Sequence, residues 1–175
     1  GEGGALTQAL AKPRDMTEVS AADVLAEFAF SDEAQQSTPD TRVDVLVAGL
    51  PCQAYSRAGR AKLRNINGCH TQDARGRLYE RFLEYVTDTN PLAIVIENVP
   101  DMMAYGGKNI AEIVSEELTD FGYTTGYTIL NSAHYGVPQA RERLILNAVR
   151  NEAIGDGAAN LPFPNPSHAF AVPRS

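Results

Sequence analysis

In the middle of the chain, two apolar runs typical of strands flank a segment whose apolar positions have helical spacing. Residues 43–47 and 92–96 are short apolar runs, rich in β-branched side chains, which is typical of buried parallel strands. Between them, residues 78–86 carry apolar side chains at helical spacing. Strand, helix and strand predict a βαβ unit, which brings the carboxyl ends of both strands to one edge of a sheet.

Four further elements are predicted around this unit. Residues 17–30 and 109–121 carry apolar side chains every three to four positions and are predicted to be amphipathic helices; the apolar stripe of the second includes Phe121. Residues 123–130 and 143–149 are predicted to be a hairpin-like pair of strands joined by a long functional loop. The predicted fold class is therefore α/β.

Length, composition and charge limit the class of protein. A chain of 175 residues suits one α/β domain, and no apolar run reaches the ~18–20 residues of a membrane span. The two cysteines, Cys52 and Cys69, lack metal-ligand spacing, and no signal peptide is recognised. We therefore expect a cytoplasmic protein without a membrane segment, disulfide or metal site.

The net charge of −7 argues against a generic nucleic-acid coat protein, but the charges are unevenly distributed. Between Tyr55 and Gln72 the chain carries cations and no acid. These cations are Arg57, Arg60, Lys62 and Arg64. A basic loop on an acidic body can bind phosphates selectively, although a solvated loop with chance charges would look the same.

Candidate catalytic groups follow the two central strands. Cys52 and Glu97 each come just after a predicted parallel strand, so a thiol and a carboxylate are expected to share a cleft. Arg141 and Arg143 end the long loop and could favour the thiolate. A protonated Glu97, favoured by burial, could donate to a ring nitrogen. The simpler interpretation makes Cys52 a small buried side chain, and Asp15 a helix-capping acid.

Four motifs, in order along the chain, resemble those of the DNA (cytosine-5)-methyltransferase family. Pro51-Cys52-Gln53 with Tyr55-Ser56 resembles the nucleophile motif, and Glu97-Asn98-Val99 resembles the ENV motif. Residues 73–79 are similar to DxRGxLF, and residues 135–143 are similar to YGVPQxRxR. Asp15-Met16 resembles the acidic and apolar pair that contacts the adenine of the methyl donor.

The resemblance implies a Rossmann-like class I S-adenosylmethionine-dependent methyltransferase sheet. The FxGxG loop, the first strand and the late donor motif are not found, so we expect an incomplete sheet. Residues 1–150 are then a partial catalytic domain, and residues 151–175 an extended linker or the start of an absent target-recognition region. We expect the 175 residues alone to be inactive.

The resemblance also implies a role for each site residue. Cys52 would add to carbon 6 of a flipped-out cytosine, Glu97 would contact the ring nitrogen and amine, and Arg143 the ring carbonyl, with Arg141 in support. S-adenosylmethionine would be the methyl donor, without a metal. The implied donor contacts are Asp15, Met16, Pro51 and Leu78. The implied DNA contacts are Gln53, Ser56, Arg57, Arg60, Lys62 and Arg64.

Double-stranded DNA is the implied partner of a monomeric enzyme, with a cognate restriction endonuclease encoded nearby. Three alternatives remain open at this point: an RNA cytosine-5 methyltransferase, a non-catalytic DNA-binding remnant, and a thiol hydrolase. The hydrolase would use Cys52 and Glu97 with His134 or His70 as the base.

Overall fold

A computed structural model describes residues 13–29, 43–50, 78–105, 107–154 and 161–168. Some predicted site residues lie outside the described residues. They are Pro51, Cys52, Gln53, Ser56, Arg57, Arg60, Lys62 and Arg64, and Cys69 lies outside them as well. The basic loop and the nucleophile itself therefore stay predictions from the sequence.

The described chain contains the predicted helices and strands in the predicted order, and a short helix that was not predicted follows them. The helices are α1 (Ala21–Ala29), α2 (Leu78–Thr89), α3 (Ile110–Asp120) and the short α4 (Asn151–Ile154). The strands are β1 (Val45–Gly49), β2 (Ala93–Asn98), β3 (Tyr123–Asn131) and β4 (Glu142–Arg150). Two 3₁₀ helices, Pro100–Ala104 and Ser132–Tyr135, follow β2 and β3.

The strands in the described part of the chain form one sheet in the order β1-β2-β4-β3. β1 and β2 are parallel, with α2 between them in sequence, so the βαβ prediction is confirmed. β4 is antiparallel to both β2 and β3, which confirms the hairpin. Gly49, the last residue of β1, lies directly opposite Glu97 on β2.

The hydrophobic core lies on one face of this sheet. Ile94 and Ile96 on β2 alternate with half-buried residues, and both are fully buried. Their partners across the β2–β4 ladder, Ala148 and Leu146, are at most 1% exposed. Side chains of α2 and α3 complete the same cluster, among them Phe82, Val86, Val114 and Leu118. Because side chains alternate along a strand, the other face of β2 and β4 is left for Glu97 and Arg143.

Two predictions of burial are wrong. The prediction that β1 is buried on both faces fails, because Val45 and Val47 are 54% and 71% exposed. They lie on the face opposite the core, whereas Leu46 and Ala48 point toward the core and pack against it. Phe121 is 41% exposed because it caps the end of α3 rather than continuing its apolar stripe.

The helix predicted over residues 17–30 begins later, at Ala21. Ser20 and Asp23 form a reciprocal cap: Asp23 N donates to Ser20 Oγ at 3.1 Å, and Ser20 N donates to Asp23 Oδ2 at 3.2 Å. Asp15 is therefore not the cap of α1.

Among the described residues, no helix combines the length and the apolar character needed to span a membrane.

Candidate active site

The carboxyl ends of β1 and β2 lie side by side, as the βαβ unit requires. Glu97 stands opposite Gly49, and Cys52 follows Gly49 by three residues in the sequence. Gly49 has no side chain, and among the residues that the structure describes a Cβ built there would meet nothing within 4 Å. The described part of the chain therefore leaves room beside Glu97 on the β1 side.

Glu97 is joined to Arg143 by an ion pair. Arg143 Nε lies 2.7 Å from Glu97 Oε1, and Arg143 Nη1 also donates to the carbonyl of Glu142 at 2.7 Å. The pair is diagonal across the β2–β4 ladder, a position that long side chains can bridge. The side chains remain 46% exposed for Glu97 and 24% for Arg143. The expected burial of Glu97 is thus not provided by the described residues.

Asn98 ties the ends of β1 and β2 together from the core side. Its side chain is buried, and its Nδ2 donates to the carbonyl of Leu50 at 3.4 Å. Its Oδ1 accepts from Val99 N at 2.8 Å. Leu50 is the last described residue before Pro51 and Cys52, so Asn98 contacts the residue that immediately precedes the nucleophile segment in the sequence. Asn98 stands in the Glu97-Asn98-Val99 motif, but the sequence alone indicated no role for its side chain.

The loop between β3 and β4 is held by its own hydrogen bonds. Asn131 Oδ1 accepts from Ala133 N at 3.1 Å, and Ser132 Oγ donates to the carbonyl of Gln139 at 2.6 Å. Ser132 N donates to the carbonyl of Arg141 at 3.0 Å, which closes the base of the loop. Arg141 is exposed, and the contact described for it uses its backbone. Arg143, two residues on, is the arginine that reaches Glu97.

Residues 161–168, the C-terminal strap, pack against this loop without helix or strand structure. Tyr135 OH donates to the carbonyl of Pro164 at 2.9 Å. The carbonyl of His134 accepts from Ser167 N at 3.0 Å and from His168 N at 2.9 Å. Gly136 has φ +85°, and a Cβ there would lie 3.0 Å from the His168 ring. The strap therefore fits a loop that needs glycine at this position.

Asp15 and Met16 belong to a closed turn, the 15–19 turn. The carbonyl of Asp15 accepts from Glu18 N and Val19 N, each at 3.0 Å. Asp15 Oδ1 accepts from Thr17 Oγ1 at 2.7 Å and from Thr17 N at 2.9 Å, and these bonds lower the pKa of Asp15 below its ordinary value. Met16 packs against the core cluster. The turn thus offers an ionised acceptor next to an apolar side chain.

The structure brings together some of the predicted residues. Glu97 and Arg143 are in contact, and the 15–19 turn is bonded to α2, the helix that begins at Leu78. Across the ranges that the structure describes, no cluster of three or more His, Cys, Asp or Glu side chains could hold a metal ion. The bonds from α2 to the turn come from Arg81 and Tyr85, which sequence reasoning did not single out.

Comparison with known proteins gives a consistent result. The family model for C-5 cytosine-specific DNA methylases matches residues 23–174. A type II methyltransferase of Oceanobacillus iheyensis, M.OihORF3336P, is 46% identical over 110 residues, covering 62% of this chain and 24% of the relative. The type II methyltransferase M.HhaI of Haemophilus parahaemolyticus is 31% identical over 132 residues, covering 75% of this chain and 37% of the relative.

The fold also resembles that of solved structures. A DNA modification methyltransferase encoded within a prophage of E. coli superposes with a TM-score of 0.57 at 22% identity, covering 80% of this chain and 33% of that one. This likeness confirms the α/β methyltransferase fold. The chain spans 24% and 37% of the length of these two curated relatives.

Proposed function

Because this chain belongs to the family of C-5 cytosine-specific DNA methylases, we propose that the protein methylates carbon 5 of cytosine in double-stranded DNA through a covalent adduct with Cys52. The observation that carries the proposal is the Glu97–Arg143 pair, with Oε1 and Nε 2.7 Å apart, beside Gly49 at the end of β1; Gly49 precedes Cys52 by three residues in the sequence. This arrangement places a carboxyl and a guanidinium side by side and within reach of a base.

The paired side chains suit the Watson–Crick edge of cytosine. That edge presents a carbonyl oxygen, a ring nitrogen and an amine in a row. A guanidinium is a donor for the carbonyl, and a protonated carboxyl can donate to the nitrogen while accepting from the amine. Arg143 and Glu97 lie side by side and both are partly exposed, so Arg143 can face the carbonyl and Glu97, once protonated, the nitrogen and the amine. Because the edge is hidden in a duplex, the base has to be flipped out, which costs a few kcal/mol of unstacking.

The bond changes follow from these contacts. The Cys52 thiolate forms a bond to carbon 6, and the displaced electron pair moves toward the ring nitrogen and carbonyl, where Glu97 supplies a proton and Arg143 a charged donor. Carbon 5 becomes electron-rich and is the atom that is methylated. Water or hydroxide then takes the proton from carbon 5, and the double bond between carbons 5 and 6 re-forms as the bond from carbon 6 to sulfur breaks and releases the thiolate of Cys52. The ring nitrogen returns its proton to Glu97, which restores the starting state of the site.

The residues present fit the adenosine part of S-adenosylmethionine. The 15–19 turn carries the ionised Asp15, which can accept from an adenine amine, and Met16, which can contact the ring. Leu78 and Pro51 are proposed as further contacts. When bound, the donor supplies an electrophilic methyl group. Arg141 is proposed to support the site, and Gln53, Ser56 and the four cations of the basic loop are proposed DNA contacts.

The test uses a DNA duplex that carries 5-fluorocytosine, because fluorine at carbon 5 cannot leave as a proton and the adduct persists. We expect the longest native form of the protein, given S-adenosylmethionine, to form a complex that survives denaturing electrophoresis. Cys52→Ala should abolish the complex, and the matched change Cys69→Ala should preserve it. Loss of the complex in Cys69→Ala alone would overturn the assignment of the nucleophile.

The same assay separates the remaining alternatives. A parallel reaction with 5-fluorocytosine in RNA should give no adduct, and an adduct with RNA alone would indicate an RNA cytosine-5 methyltransferase. DNA binding without any adduct would indicate a non-catalytic remnant. A cognate restriction endonuclease, the monomeric state and the cytoplasmic location stay predictions.

A further inference from the structure

The 15–19 turn is held against α2 by hydrogen bonds from two side chains of that helix. Arg81 Nε donates to the carbonyl of Met16 at 2.7 Å, and Arg81 Nη2 lies 3.4 Å from the carbonyl of Val19. Tyr85 OH donates to the same Val19 carbonyl. These bonds join residues more than 60 positions apart in the sequence. They therefore fix where the turn lies in the fold.

The other bonds described for the turn are local. Its backbone closes on the carbonyl of Asp15, and the Asp15 side chain bonds to Thr17. Such bonds set the shape of the turn but not its position relative to the rest of the protein. Position depends on the packing of Met16 against the core and on the bonds from α2. An apolar contact is not directional, whereas hydrogen bonds to two carbonyls are.

Arg81 is itself held in place along α2. It forms an ion pair with Glu84, one turn further along the helix, and its guanidinium lies 5.7 Å from the centre of the Tyr85 ring. Leu78, Arg81 and Tyr85 follow each other at spacings of three and four residues, so they share one stripe of the helix. The stripe that begins with Leu78 is thus the stripe that binds the turn with Asp15 and Met16.

We propose that Arg81 and Tyr85 are positioning residues for the methyl donor, which hold Asp15 and Met16 in register with Leu78. The proposal rests on the proposed function, since it takes these three residues as the adenosine contacts. A pocket assembled from segments that are distant in sequence binds well only if those segments are fixed beforehand, because any ordering on binding reduces the affinity. Loss of the bonds from α2 should therefore weaken donor binding without changing the DNA contacts.

The test compares three variants of the longest native form. Arg81→Met keeps the aliphatic stem and removes the donors, and Tyr85→Phe removes a single hydroxyl. The control Glu84→Gln removes the ion pair on Arg81 but leaves both carbonyl bonds possible. Binding of S-adenosylhomocysteine is measured by calorimetry, KM is measured separately for the donor and for DNA, and the urea midpoint reports stability.

We expect Arg81→Met to raise the Kd for S-adenosylhomocysteine about tenfold, or about 1.4 kcal/mol, and Tyr85→Phe to raise it about threefold. The KM for the donor should rise in parallel, with the KM for DNA unchanged and Glu84→Gln like wild type. If both variants bind S-adenosylhomocysteine within about twofold of wild type and only their urea midpoints fall, Arg81 and Tyr85 have a purely structural role and the proposal is wrong. Should Arg81→Met not fold, Tyr85→Phe decides. A wild-type protein that binds no S-adenosylhomocysteine would overturn the proposed function itself.

Discussion

Asn98 provides the sharpest test of how the site is built, because its side chain bonds to both strand ends. Asn98→Ala would remove the acceptor of Val99 N at 2.8 Å and the donor to the carbonyl of Leu50 at 3.4 Å. The side chain is buried, so water cannot fully replace it. We expect the variant to lose both stability and control over the segment that leads to Cys52.

The magnitude follows from the two bonds. A net hydrogen bond contributes about 1 kcal/mol, and a buried group left without a partner costs about 1–3 kcal/mol. The bond to Leu50 is long and contributes little to stability, although it is the contact that reaches the segment leading to Cys52. The loss of stability is therefore dominated by the Val99 amide, which is left without its acceptor. We expect the free energy of unfolding to fall by about 2–3 kcal/mol. The rate of adduct formation should fall about tenfold or more, since a small misplacement of a reacting group is costly.

The assay combines urea unfolding with the rate of adduct formation on a 5-fluorocytosine duplex. The matched control is Asn109→Ala, which removes the Asn109 side chain that accepts from Glu112 N at the start of α3. This cap should contribute about 1 kcal/mol, and its loss should leave the adduct rate unchanged. Equal adduct rates in the two variants, compared well below their unfolding transitions, would refute the positioning role of Asn98.

Three further predictions test other parts of the site. Glu97→Gln should change stability by less than about 1 kcal/mol, because the ion pair with Arg143 is partly exposed, yet it should nearly abolish methylation; retained activity would contradict its role. Gly136→Ala should lower the free energy of unfolding, measured in urea, by more than Gly107→Ala does. Both glycines have positive φ, which costs about 1–2 kcal/mol for alanine, but of the two only Gly136 lies against the His168 ring. Thr17→Val should raise the pKa of Asp15 toward 3.8 in an NMR titration, because the Thr17 hydroxyl is the main cause of its lowering. In the unmodified protein, the contribution of the Asp15 carboxylate to stability is present above pH 3.8 and is lost as the pH falls through its lowered pKa. An unchanged Asp15 pKa in Thr17→Val would show that the hydroxyl bond has no effect.

The sequence predicted the parts of the fold that follow from apolar periodicity. The βαβ unit, the α3 helix and the β3–β4 hairpin are all present. The fold then brings the Glu97 strand beside the Arg143 strand, although the two residues are 46 positions apart. Their ion pair could not be read from the pattern, because it depends on the β2–β4 register rather than on either segment alone.

Residues that act through the backbone were the ones that sequence reasoning missed. Arg81 and Tyr85 look like ordinary surface positions of an amphipathic helix, and their partners are the carbonyl groups of Met16 and Val19. Every residue offers such a carbonyl, so no side-chain pattern marks the partner. The exposure of Val45 and Val47 was missed for a related reason: an apolar run does not state which of its faces is covered.

The adjacent residues Glu97 and Asn98 show how the core determines the chemistry. They lie on opposite faces of β2, with Asn98 buried beside the core and Glu97 directed to the partly exposed site. A slip of one residue in the strand pairing would exchange them, burying the carboxylate and exposing the amide. Ile94 and Ile96, packed opposite Ala148 and Leu146, make that slip unfavourable, because it would expose both isoleucines. The apolar alternation that stabilises β2 is therefore also what directs Glu97 toward Arg143.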